Sequence, residues 1–143
     1  MKYKLKWSLR SVMSVFILTS CMLGCRENQK KEVTLESGLR YEIIKPGTGI
    51  IAENGNEVII EETMGYIDGT ILYTSKDRGV NQPRFVLGSG MVIEGVDQGV
   101  NGMRMGEERK LIIPPNLSKR EVYPDFLSPD STLVYTIKLL TVN

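Results

Sequence analysis

The stretch from Phe85 to Pro115, FVLGSGMVIEGVDQGVNGMRMGEERKLIIPP, constrains this chain more than any other. It reads as a short strand over Phe85 to Leu87, a turn at Gly88-Ser89-Gly90, and one short helix from about Ile93 to Val100. Val92, Val96 and Val100 recur at four-residue spacing and so share one face. Gly102 and Gly106 flank the exit, and Arg109 to Ile113 reads as a strand ended by Pro114-Pro115. Gly95 and Gly99 lie inside the helix, where each glycine costs about 1 kcal/mol against alanine. Such a helix holds only if a sheet presses so closely on it that a Cβ has no room. The stretch therefore predicts a short helix plugged into a curved sheet.

The remainder of the chain supplies that sheet. Leu39 to Ile44 alternates as a first strand, followed by turn chemistry at Pro46-Gly47-Thr48-Gly49. Glu57 to Tyr66 is a long strand, Asp68-Gly69 a hairpin turn, and Thr70 to Thr74 its returning partner. Lys76 to Pro83 is a polar loop and Asn116 to Asp130 an irregular one. In the closing strand, Ser131 to Val142, residues Leu133, Tyr135, Ile137 and Leu139 share one face. Five or six antiparallel strands wrapped around one short helix define an α+β half-barrel.

The sequence contains no histidine, and both cysteines, Cys21 and Cys25, fall in the first 25 residues. Histidine-based triads, histidine-ligated metals and thiolate nucleophiles are thereby excluded from residues 26–143. The net charge is +1, but Lys2, Lys4, Lys6 and Arg10 account for four of the 18 basic residues. That leaves 14 basic against 17 acidic residues beyond position 25, a mildly acidic domain that argues against a nucleic-acid partner. The adjacent pairs Glu61-Glu62 and Glu107-Glu108 point to opposite faces of their strands, so neither forms a carboxylate dyad, and solvated surface is the default expectation for both.

Residues 1–25 have a basic start, an apolar segment over Val12 to Thr19, and small residues before a cleavage site. The apolar run is too short for a membrane span. Leu18-Thr19-Ser20-Cys21 resembles a bacterial lipobox, with Met22-Leu23-Gly24-Cys25 as the alternative. The expected organisation is a signal peptide over residues 1–20 (or 1–24), a polar tether over 21–37, and a folded domain over 38–143. Acylation at Cys21, or alternatively Cys25, would anchor the domain to a bacterial envelope membrane. No acidic residue immediately follows either cysteine, which for a Gram-negative source favours the outer membrane, with the domain facing the periplasm.

The spacing Phe85-x-Leu87-Gly88, Val92-Ile93-x-Gly95, Gly99-Val100, Met103-x-x-Gly106-Glu107 and Ile113-Pro114 resembles the core of FKBP-type peptidyl-prolyl cis-trans isomerases. The resemblance runs from about Gly38 to the C-terminus, through Asp68-Gly69 and Thr132-Leu133-Val134-Tyr135. It implies an FKBP-like fold and a pocket that binds proline-containing segments, here of exported proteins, without cofactor or metal. No discrete acid, base or nucleophile is implied, and a monomer is expected. By the same resemblance Val92 and Ile93 match the pocket edge whose backbone N–H faces the ligand carbonyl, while Phe85 and Tyr135 match pocket aromatics. Glu62 stands where the family usually has Tyr, Leu72 where it has Phe, and Tyr73 where it has Asp. Val96 occupies the floor position that is Trp in the best-known members. Lys119 falls at or near the flap-loop tyrosine, for which Tyr123 is a candidate substitute. These departures carry an alternative reading, a non-catalytic FKBP-like binding or chaperone module of an envelope assembly.

Overall fold

The computed structural model describes residues 32–76 and 82–143. The signal segment, Cys21, Cys25, most of the tether and the middle of the Lys76–Pro83 loop lie outside them.

Among the described residues, seven strands and one α-helix follow the order β1 (Glu32–Thr34), β2 (Arg40–Lys45), β3 (Glu57–Tyr66), β4 (Ile71–Thr74), β5 (Arg84–Val86), α1 (Glu94–Val100), β6 (Glu108–Ile113) and β7 (Leu133–Val142). All strand pairs are antiparallel, in the order β1-β2-β6-β7-β3-β4, with β5 also on β3. Both β5 and β4 share the outer edge of β3, β5 along Glu57 to Ile59 and β4 along Thr63 to Gly65. Between them the Ile60 N–H donates to the Pro83 carbonyl at 3.0 Å, next to the register shift at Ile59/Ile60 in the β3–β7 ladder. The bulge bends the strand and lets one long strand serve two partners.

The half-barrel matches the sequence expectation, with one addition. β1 pairs with β2 through Glu32↔Glu42 and Thr34↔Arg40, within a segment that reads as polar tether. Its residues carry no apolar alternation because a three-residue edge strand needs only backbone pairing, so the count is seven rather than five or six.

Alternation on β7 decides which side is core. Leu133, Tyr135, Ile137 and Leu139 are all buried, facing Leu111 and Ile113 of β6 and Val58 and Ile60 of β3 within one apolar cluster. Against this concave face lies α1. A Cβ on Gly95 would overlap Ile113 Cγ2, and a Cβ on Gly99 would overlap Leu111 Cδ1, so the two glycines allow the backbone to approach β6. Seven residues are too few for an independently stable helix, and α1 has no side-chain N-cap. Its ends are tied from outside instead. The Asp97 carboxylate accepts from the Gly88 N–H at 2.9 and 3.1 Å, which fixes the preceding turn to the helix.

At the other end, the Arg109 guanidinium donates to the carbonyls of Gly99 (3.1 Å), Asn101 (3.4 Å) and Gly102 (3.2 Å). A cation at a helix C-terminus is favoured by the helix dipole. Arg109 also lies over the Tyr41 ring, 4.4 Å from its centroid, and pairs with Glu107 at 2.5 Å between Nε and Oε1. Glu107 Oε2 accepts from the Arg104 N–H at 3.0 Å. Glu107 is thus buried, correcting the expectation that the Glu107-Glu108 pair is solvated surface. Both of its carboxylate oxygens accept hydrogen bonds.

Two variants test this arrangement. Gly99→Ala forces a methyl into Leu111 and is expected to destabilise by about 1–3 kcal/mol, as overpacking does. Arg109→Met leaves Glu107 as a buried unpaired charge and is expected to cost about 3–5 kcal/mol. Urea unfolding monitored by circular dichroism measures both, and Arg109→Met should be the more damaging.

Candidate functional site: a cavity at the mouth of the half-barrel

A cavity of about 570 Å³ opens where the start of α1 meets β3, β7 and the segment after β6. The turn before the helix contributes Gly90, Met91 and Val92; α1 contributes Val96, and its N-cap is Ile93. Val96 is buried, Val92 and Ile93 are half-buried, and together they form an apolar wall. Val92 lies before the helix rather than on its face, because α1 starts at Glu94. The Ile93 carbonyl accepts from Val96 N (3.0 Å) and Asp97 N (3.1 Å), while its own N–H forms no bond among the described residues.

The facing wall comes from the sheet. Tyr135 on β7 and Met64 on β3 are direct partners, and the Tyr135 hydroxyl donates to Met64 Sδ at 2.9 Å. Glu62 lies two residues before Met64, so period-two alternation places it on the core-facing side after Val58 and Ile60. Its backbone is clamped to the end of β4: the Glu62 N–H donates to Ser75 Oγ, and the Ser75 N–H donates to the Glu62 carbonyl, both at 2.8 Å. Glu61 points the other way and pairs with Lys76 at 3.6 Å.

After β6, a 3₁₀ turn over Pro115–Leu117 buries Leu117 and carries the chain back across the opening. Lys119, Arg120, Glu121 and Val122 then line the cavity. Arg120 Nη2 donates to the Tyr135 hydroxyl at 2.9 Å and reaches Met64 Sδ at 3.7 Å. Burial pushes the Glu62 carboxyl above the usual carboxylate range, partly offset by the Arg120 charge. Burial likewise raises the Tyr135 hydroxyl, again against the pull of Arg120.

Six of the nine site residues named from the sequence converge here: Glu62, Val92, Ile93, Val96, Lys119 and Tyr135. Leu72 and Tyr73 on β4 pack half-buried against the core instead, although Tyr73 is near enough to raise the Tyr135 hydroxyl further. Phe85 pairs with Val58 and is 2% exposed, a core residue rather than a cavity wall. Tyr123 is half-buried against the core cluster and does not line the cavity. Sequence reasoning missed Arg120. In an irregular loop beside Lys119, a second cation has no periodicity to mark it as inward-facing.

No Ser, Thr, Cys or His lines this cavity, and no group of three His, Cys, Asp or Glu among the described residues could hold a metal. The arrangement can recognise a ligand by shape, by apolar contact and by hydrogen bonds from Arg120 and the Ile93 N–H. A half-barrel with such a cavity at the helix start is the arrangement that the resemblance to FKBP-type folds implies.

Comparison with known proteins agrees. The family model described as FKBP-type peptidyl-prolyl cis-trans isomerase matches residues 48–140. FK506-binding protein 2 of Yarrowia lipolytica is 34% identical over 136 residues, covering 94% of this chain and 93% of that protein. The peptidyl-prolyl cis-trans isomerase Mip of Chlamydia muridarum is 34% identical over 129 residues, 88% of this chain but 51% of Mip. Among solved structures, FkpA from Escherichia coli superposes with a TM-score of 0.70 at 30% identity, over 80% of this chain and 53% of FkpA. The chain belongs to the FKBP-type peptidyl-prolyl cis-trans isomerases, and its substrates are proline-containing peptides.

The raised Glu62 carboxyl has a consequence for stability. The folded state holds this proton more tightly than the unfolded chain, so stability contributed by Glu62 is complete below its unfolded value of 4.5 and is lost as pH rises through the higher folded one. Glu62→Gln removes that loss. Thermal unfolding should show the variant more stable than the parent at pH 7, with the gap closing by about pH 4.

Proposed function

We propose that this protein is exported, acylated at Cys21 with Cys25 as the alternative, and held at the bacterial cell envelope facing the periplasm. Its station is the outer membrane, and it accelerates X-Pro isomerisation in exported proteins. Support for export comes from the order of the first 25 residues: basic start, short apolar run, lipobox-like Leu18-Thr19-Ser20-Cys21. No helix of the described residues is long and apolar enough to cross a membrane; the anchor in this reading is the lipid on the N-terminal cysteine.

The cavity geometry carries the catalytic part. The barrier to peptide-bond rotation, about 18–20 kcal/mol, reflects amide resonance that is lost as the bond twists. A site that binds the twisted form better than either planar form lowers it without covalent chemistry. The proline ring occupies the apolar wall of Val92, Ile93 and Val96, away from water. The Ile93 N–H, which has no partner among the described residues, holds a substrate carbonyl at the wall's edge. Across the cavity, Arg120 offers a guanidinium donor fixed by its hydrogen bond to the Tyr135 hydroxyl, so little reorganisation accompanies the twist.

Two measurements test this reading. Isomerisation of short X-Pro peptides should be accelerated well above the uncatalysed rate. Ile93→Ala, which removes about 1.5–3 kcal/mol of apolar contact when fully used, should lower kcat/KM by about tenfold or more. A folded Ile93→Ala variant with unchanged kcat/KM would show that catalysis does not use this wall. Mass spectrometry of the mature N-terminus should find a lipid on Cys21, lost in Cys21→Ala; a lipid retained in that variant would move the anchor to Cys25.

A further inference from the structure

Arg120 is charged, half-buried and bonded only to neutral groups. Its recorded partners are the Tyr135 hydroxyl and the Met64 thioether. Its Nε is buried and has no hydrogen-bond partner among the described residues. None of the ion pairs among those residues involves Arg120. The groups around it are few. Glu62 faces it from β3, outside ion-pair distance and with burial favouring its neutral form. Tyr135 faces it from β7, with Tyr73 near that hydroxyl. Lys119 and Glu121, its chain neighbours, are exposed at the rim and opposite in charge, and the wall from the helix side is apolar.

A guanidinium has five donors and no acceptor. Arg120's half-buried charge lies at the wall of a ligand site, with no ion pair among the described residues and only the more distant Glu62 carboxyl to oppose it. The ligand group that meets such a charge is a carboxylate, which accepts charge-assisted hydrogen bonds from a guanidinium. Resting on the isomerase reading of the same cavity, we infer that it selects X-Pro segments with an acidic side chain next to the proline, and that Arg120 is the specificity residue that binds that carboxylate. The proline ring takes the Val92–Val96 wall while the neighbouring Asp or Glu side chain reaches across to Arg120. Lys119 at the rim adds attraction, largely cancelled by Glu121.

The experiment measures kcat/KM for matched peptides, Ala-Xaa-Pro-Phe with Xaa as Leu, Gln, Glu, Asp or Lys, and a second set carrying Gln or Glu after the proline. The purified protein is compared with Arg120→Met and Arg120→Lys at low and high salt. Ratios within each protein are read, so an overall change in rate does not affect the outcome. In at least one set the Glu-to-Gln ratio should be about tenfold or more, the worth of one charge-assisted hydrogen bond. It should fall toward one in Arg120→Met and shrink with salt. Arg120→Lys, which keeps the charge and loses the fork, should be intermediate, and serves alone if Arg120→Met does not fold. Acceleration with no acidic preference in either set overturns the inference and leaves the isomerase reading standing. A preference that survives unchanged in both variants also overturns it, since the carboxylate is then held elsewhere. No acceleration of any peptide overturns the isomerase reading and this inference together.

Discussion

The close approach of α1 to β6 is the contact on which the rest of this structure depends. Gly95 lies against Ile113 and Gly99 against Leu111, and in both places a side chain would occupy space already filled. The glycines weaken the helix as an isolated element but allow it to sit deep in the concave face of the sheet. Depth matters because the helix start forms one wall of the cavity. Raised by one methyl, Ile93 and Val96 would move away from Tyr135 and Glu62, and the cavity would change shape. Intrinsic helix propensity is given up here for position, and packing supplies the stability that propensity does not.

The second constraint is electrostatic. Arg109 and Glu107 form a buried pair whose task is local: to satisfy carbonyls at the exit of α1 and the N–H of Arg104. A buried pair of this kind contributes little net stability over apolar residues of the same volume, yet losing one member is costly. It pins the helix end in register with β6. Arg120 presents the contrast. Arg109 is buried among acceptors and a carboxylate, whereas the half-buried Arg120 has a hydroxyl, a thioether and no ion pair among the described residues. The first arrangement is complete within the chain. The second is open to a ligand.

Much of the fold is legible in the sequence. Alternation assigns β3 and β7, Asp68-Gly69 assigns the hairpin, and the glycines inside a valine-rich stretch assign a helix pressed on a sheet. Two elements escape for physical reasons. β1 is a three-residue edge strand held by backbone pairing with β2, and polar residues such as Glu32 and Thr34 leave no pattern. Glu107 reads as surface because adjacent acids on a strand usually are; only Arg109, two residues on and on the same face, makes its burial affordable.

The sequence by itself determined the class of chemistry. With no histidine and no cysteine after Cys25, residues 26–143 must act through shape, apolar contact and hydrogen bonds, and the spacing from Phe85 to Pro115 specifies the half-barrel that does so. Tertiary structure alone decided which side chains meet. It sent Phe85 into the core and packed Leu72 and Tyr73 of β4 half-buried against that core, and brought Arg120 from an irregular loop onto Tyr135, 15 positions away. Periodicity reports which face of a strand or helix a residue occupies. A loop has no such period, so where its side chains land is set by the path the chain takes over the folded sheet.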